Sequence, residues 1–313
     1  MNPNYQKHFP VMLPEVLSAL EPKDGGVYVD ATFGNGGYTE AILRSANCKV
    51  IALDRDPNVF ARSQELSAQY GDRFEFRAGQ FGDFAELVSE NIDGAVFDIG
   101  VSSMQLDEAE RGFSFSKDAP LDMRMSQSGT TAADVVNTFS ESELANAIYL
   151  YGEERKSRQI ARKIVEYRKN NLIRSTKELA DIICSVVHRT ANGTNPATRT
   201  FQALRIVVND ELGELSKGMC GATQRLVAGG RLVIVDFHSL EDRIVKDYLK
   251  NNSSKTRHVS KYAKNEQEDD SKIFEFCSKV VLPSEEELKL NPRSRSAKLR
   301  YAIKKQSKEF INE

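Results

Sequence analysis

The chain of 313 residues lacks the marks of several common protein classes. No apolar run approaches the ~18 residues that a membrane-spanning helix needs, so no membrane association is expected. Residues 1–10 have neither a basic start nor an apolar stretch, which predicts no export signal and a cytoplasmic location. The four cysteines (Cys48, Cys184, Cys220 and Cys277) are far apart and show no CxxC or Cys/His ligand spacing. Reduced, mostly buried thiols are expected, and no metal site. There is no G-x-S-x-G elbow, which argues against a Ser-His-Asp hydrolase, and no internal repeat. Net charge is nearly absent as well. The chain has 43 Lys and Arg against 45 Asp and Glu, a formal charge of −2 that by itself predicts no nucleic-acid partner.

What is present is charge asymmetry and an alternating pattern. Residues 1–150 hold 11 basic and 23 acidic side chains, net −12; residues 151–200 are net +6 and residues 201–313 net +4. Strands are predicted at 27–31, 49–54, 74–78 and 94–98, with helices near 38–44, 57–69 and 81–89. This order implies a parallel, doubly wound α/β sheet. The next buried strand is RLVIVDF at 231–237, and the gap before it is too long for a loop. Residues 106–205 are therefore expected to form an inserted helical domain, and residues 1–105 with 206–313 the core. Helices are predicted at 140–150, 154–170, 176–188, 201–215 and 240–250. The polar stretch 251–271 reads as a loop, and 274–282 with 297–304 as an antiparallel pair at the sheet edge.

The chemistry gathers at strand ends. The first strand runs into DATFGNGG, where Gly34, Gly36 and Gly37 let a ligand approach backbone N–H groups at a helix start. The second strand ends at Asp54, placed to accept ribose hydroxyls. An adenosine-containing ligand is implied. A dinucleotide fingerprint wants a glycine where Thr39 stands, whereas a methyl-donor site wants an acid such as Asp30 before G-x-G. S-adenosylmethionine is thus favoured over NAD, with an ordinary tight turn as the third possibility. Phe81 could lie against an adenine or be a core residue. The fourth strand ends in DIGVSSMQLD, bringing Asp98, Ser102 and Gln105 to the carboxyl edge; Asp98 could also be a helix cap. The fifth ends in DFHSLEDR, which brings His238 to the same edge, with Ser239 and Asp242 read as an approximate capping box.

These segments together resemble one family. DATFGNGGYT, Asp98–Ser103 (DIGVSS), LDEAERGFSF, PLDMRM, YGEER, NPATRTFQALRI, FHSLEDRIVK and NPRSRSAKLR occur in order over almost the whole chain. The sequence is similar to the RsmH/MraW family of bacterial 16S ribosomal RNA cytosine-N4 methyltransferases. The resemblance implies a class I S-adenosylmethionine-dependent methyltransferase fold with an inserted domain. Its implied substrate is a cytidine in the decoding region of 16S ribosomal RNA, within the small ribosomal subunit. A homodimer is an admissible assembly. The donor contacts it implies are Gly36, Gly37, Tyr38, Asp54, Phe81, Asp98 and Gln105. Tyr38 stands where the family usually has His, Met104 where Pro is common and Asp236 where Ser is frequent.

On this reading Asp98, or a backbone carbonyl after it, would accept the N4 proton; Ser102 and His238 are further candidates. Phe113, Phe115 and Phe237 are candidates to stack on the base, although core burial is the ordinary role of such residues. Arg155, Arg158 and Arg162, spaced i, i+3, i+7, with Arg199, could grip RNA phosphates or form a solvated face. An NAD-dependent oxidoreductase and a non-catalytic RNA-binding protein are the alternatives.

Overall fold

The computed structural model describes residues 10–188, 195–253 and 272–306. Most of the polar stretch expected as a loop lies outside them. The chain divides into two compact units, residues 1–100 with 212–313, and residues 101–211.

The first unit starts with α1 (Leu13–Leu20) and then alternates β1 (Val27–Asp30), α2 (Gly37–Ser45), β2 (Lys49–Asp54), α3 (Phe60–Tyr70), β3 (Phe74–Ala78), α4 (Phe84–Leu87) and β4 (Ile92–Asp98). The inner strands are apolar on both faces: Val50, Ile51, Ala52 and Leu53 have no solvent exposure, as expected where helices cover both sides of a parallel sheet.

The second unit is helical: α5 (Ser103–Asp107), α6 (Ala132–Thr138), α7 (Glu141–Gly152), α8 (Ser157–Arg168), α9 (Thr176–Val186) and α10 (Ala197–Asn209). Its core joins Leu144, Ile148, Ile160, Ile164, Leu179, Ile183, Phe201 and Leu204, which recur at helical spacing along their segments. The chain returns through α11 (Glu211–Arg225), β5 (Leu226–Asp236), α12 (Ser239–Asn251), β6 (Phe274–Cys277), α13 (Glu285–Leu290) and β7 (Lys298–Lys304).

The sheet order is β3-β2-β1-β4-β5-β7-β6. The pairs among β1 to β5 are parallel, and β7 runs antiparallel between β5 and β6. This is the Rossmann-like, class I methyltransferase arrangement. The expected antiparallel pair is at the sheet edge, although β6 stops at Cys277 and the chain rejoins β7 through Ser278 with Tyr301 and a Val281–Leu299 bridge.

Other expectations need correction. The single helix predicted at 201–215 is two, broken where Asp210 adopts a left-handed conformation (φ 47°). Strand β5 begins at Leu226, not at 231; Gly229 and Gly230 had disguised its first part, and its register against β4 shifts there. Of the cysteines only Cys48 is buried, and Cys220 is exposed.

Candidate active site

The carboxyl ends of β1 to β5 carry the predicted residues of the first unit. After β1 the chain turns sharply at Gly36, where φ is 75° and a side chain would press on Phe33 and Leu66. Gly37 starts α2, and a Cβ there would collide with the Pro10 ring. The loop is braced by carboxylates. Asp54 accepts the Gly34 N–H through Oδ2 and the Asp56 N–H through Oδ1, each at 2.8 Å. Burial raises its pKa, and each oxygen keeps a lone pair for a hydroxyl.

Asp30 braces the same loop from within. It is wholly buried, with Oδ1 accepting the Thr32 N–H and Oδ2 accepting both N–H and hydroxyl of Thr39 at 3.1 and 2.7 Å. Its carboxyl, pushed up to about 6 chiefly by burial, holds the glycine loop together. Tyr38 is also buried, and its hydroxyl donates to the Val11 carbonyl. Its side chain therefore braces the protein; only its backbone remains for a ligand.

Asp98 is less well satisfied than Asp30 or Asp54. Its N–H donates to the Thr32 hydroxyl at 2.8 Å, but its buried Oδ1 has no partner. Burial first, then the charges of Asp30 and Glu241, push its carboxyl up to about 8. Thr32 and Thr39 are thus supports that the sequence reading passed over; both lie inside DATFGNGGYT, two and nine residues after Asp30. Phe81 is partly buried, edge-on to Phe97 at 5.8 Å and 88°.

The turn after β5 corrects one expectation. His238, not Ser239, is the N-cap of α12: its Nδ1 accepts the Glu241 N–H at 3.4 Å, while Glu241 Oε2 accepts the His238 N–H at 3.2 Å. The His238 Nε2 faces Glu241 Oε1 at 3.1 Å. Capping engages Nδ1, while the buried Nε2 completes no hydrogen bond. Asp242 instead pairs with Lys298 and Arg300 at 2.9 and 2.8 Å. Asp236 is fully buried, neither oxygen has a partner, and burial with the charges of Asp242 and Glu241 pushes it up to about 8. Of the three candidate aromatics, Phe113 is core and Phe115 packs edge-on to Phe201 at 4.9 Å. Phe237 is partly exposed and lies against Gly100, just beyond Asp98.

Ser102 and Gln105 belong to the second unit, where they form the capping box of α5: Ser102 Oγ accepts the Gln105 N–H at 3.2 Å, and Gln105 Oε1 accepts the Ser102 N–H at 3.1 Å. The basic stripe is shorter than expected. Arg155 lies in the turn before α8, so only Arg158 and Arg162 share that helix. Both are exposed, Arg162 reaching Glu141 at 3.7 Å. Arg199, also exposed, donates to the Glu153 carbonyl at 3.3 Å and faces Glu154 at 3.8 Å. Arg205 is bound to Glu211 through two contacts of 2.8 and 3.0 Å.

Comparison with known proteins adds a lineage to this geometry. Residues 5–305 match the model of the MraW methylase family. A protein of Parvibaculum lavamentivorans is 53% identical over 300 residues, covering 94% of this chain and 88% of the relative. One from Rickettsia massiliae is 54% identical, covering 95% and 98%. One from Rhodospirillum rubrum is 53% identical over 303 residues, covering 94% and 93%. All three are named ribosomal RNA small subunit methyltransferase H.

Proposed function

Since the chain belongs to the MraW methylase family, we propose that it methylates N4 of a cytidine in the decoding region of 16S ribosomal RNA, within the small subunit. The relatives' names support a small-subunit ribosomal RNA substrate. The methyl donor is S-adenosylmethionine, whose sulfonium supplies an electrophilic methyl group.

The observation that carries the reading is the row of groups along the sheet's carboxyl edge: the glycine turn, Asp54 with lone pairs to spare, and Asp98 with a buried oxygen that nothing satisfies. These fit the donor. Asp54 would take the ribose hydroxyls, the N–H groups after Gly36 would face polar atoms, and an unpartnered carboxylate suits a cationic ligand.

Asp98 is also the group best placed to accept the proton that N4 loses when its bond to carbon forms. A carboxyl near 8 is a strong base once ionised, and a cation beside it favours that ionised form. Phe237, next to Gly100, is the aromatic left to stack on an unstacked base. Arg158, Arg162 and Arg199 would meet RNA phosphates. The test is transfer from labelled donor to naked 16S RNA and to assembled 30S subunits, with mapping of the product. A label at cytosine N4 in the decoding region supports the reading; a label on another base or atom rejects it.

A further inference from the structure

Immediately before α1, residues 10–12 lie against the glycine turn and are held from three sides. The Pro10 ring fills the space beside Gly37 that a side chain would need. The Val11 carbonyl accepts the hydroxyl of buried Tyr38. The Met12 N–H donates to Oε1 of Glu287 on α13 at 3.3 Å. Met12 itself is fully buried in a left-handed conformation, φ 52° and ψ 36°, as the N-cap of α1. A non-glycine residue keeps that backbone only where its surroundings impose it. Tyr38 thus stands between this segment and the loop that carries Asp30, and Asp98 and Asp30 are among the charges it feels.

We propose that Tyr38 is a positioning residue for the methyl donor: by anchoring Val11 it fixes residues 10–12 as a strap that walls one side of the glycine-turn pocket. This rests on the methyl-donor reading above. The one polar atom of the Tyr38 side chain is spent on the strap and not on a ligand. The strap shapes and closes the pocket without touching the transferred group. Its loss should therefore appear in how fast the donor or its product leaves, because pre-formed walls act mainly on dissociation.

The experiment measures affinity and dissociation rate of S-adenosylhomocysteine, with Tm, for the full-length wild type and three variants. Tyr38→Phe keeps the ring and removes the hydroxyl; it is expected to weaken binding up to about tenfold, mostly through faster dissociation. Glu287→Ala releases Met12 from α13 and should shift dissociation the same way by a smaller factor. Ile42→Val thins the core under α2 and should lower Tm while leaving dissociation unchanged. Tyr38→Phe and Glu287→Ala that lose Tm but release the ligand at the wild-type rate would overturn the strap. If Tyr38→Phe does not fold, Glu287→Ala decides alone. Absence of binding by the wild type would instead strike the methyl-donor reading itself, so the two failures are separable.

Discussion

Carboxylates at the helix starts of the helical unit and those at the carboxyl edge of the sheet are treated in opposite ways. In the helical unit acids close helix starts: Thr131 with Asp134, Ser140 with Glu143 and Ser175 with Glu178 form reciprocal capping boxes. Bonds from Thr131 and Ser140 hold the pKa values of Asp134 and Glu143 below the usual range. At the carboxyl edge of the sheet Asp30, Asp54, Asp98 and Asp236 are all raised, burial being the first cause in each. Acids of the first kind stabilise the fold when ionised; those of the second weaken it. A group kept against its own stabilising tendency points to chemistry, and that contrast supports the proposal that the reaction takes place at the sheet edge.

The contrast can be broken most decisively at Asp98. Asp98→Ala should lower single-turnover transfer by about 10²–10³-fold with Tm unchanged or higher. In the wild type, kcat/KM should rise with pH through about 8, because Asp98 must first lose its proton, and Asp98→Asn should erase that rise. A rate within a few-fold of wild type would remove Asp98 from the reaction.

A second test lies in the other unit. Arg158→Glu with Arg162→Glu should weaken RNA binding and reduce its logarithmic salt slope by roughly two, leaving S-adenosylhomocysteine affinity intact. An unchanged slope would make this a merely solvated face.

Asp236 sharpens the comparison through stability. Its pKa is raised in the fold, so the unfolded chain releases this proton between the ordinary carboxylate range and about 8 while the folded chain retains it. Stability from this group is full below that window and falls as pH rises across it. Asp236→Asn should therefore raise Tm at pH 8 by several degrees and hardly at pH 4, as read by thermal melts. A gain equal at both values would refute the linkage.

The smallest effect is expected at a cap. Ser140→Ala should lower Tm by a few degrees without altering donor binding, because it removes one bond to an N-terminal N–H of α7.

Much of the site was legible because it sits in local sequence. Glycines after a strand, an acid closing the next strand and DIGVSS after the fourth each declare a position along the chain, and parallel alternation brings those positions to one edge. What escaped depended on geometry between distant residues. The Tyr38–Val11 bond spans 27 positions and the Met12–Glu287 bond 275, and no periodicity announces either. Asp30 has the residue type for a ligand contact, but its bonds to Thr32 and Thr39 could not be read from that type. The capping box of α12 was displaced by one residue because His is an unusual N-cap, and the imidazole took the place expected of the Ser239 hydroxyl. Arg155 had the spacing of a helical stripe but precedes the helix, whose first turn starts at Ser157.

The position of β5 beside β4 has a consequence for how the molecule is made. The sheet is interrupted after Asp98 and resumes at Leu226, whereas residues 101–211 form their own uninterrupted unit. During synthesis the helical unit is complete before β5 leaves the ribosome, and its contacts are closer in sequence. The sheet must wait longer still, because β7 lies between β5 and β6 and is the last strand made among the described residues. Non-local pairing is slow to form, so the nascent sheet half carries an open β4 edge while the inserted helices can already fold. Strand β7, Lys298–Lys304, pairs with both neighbours and completes this sheet.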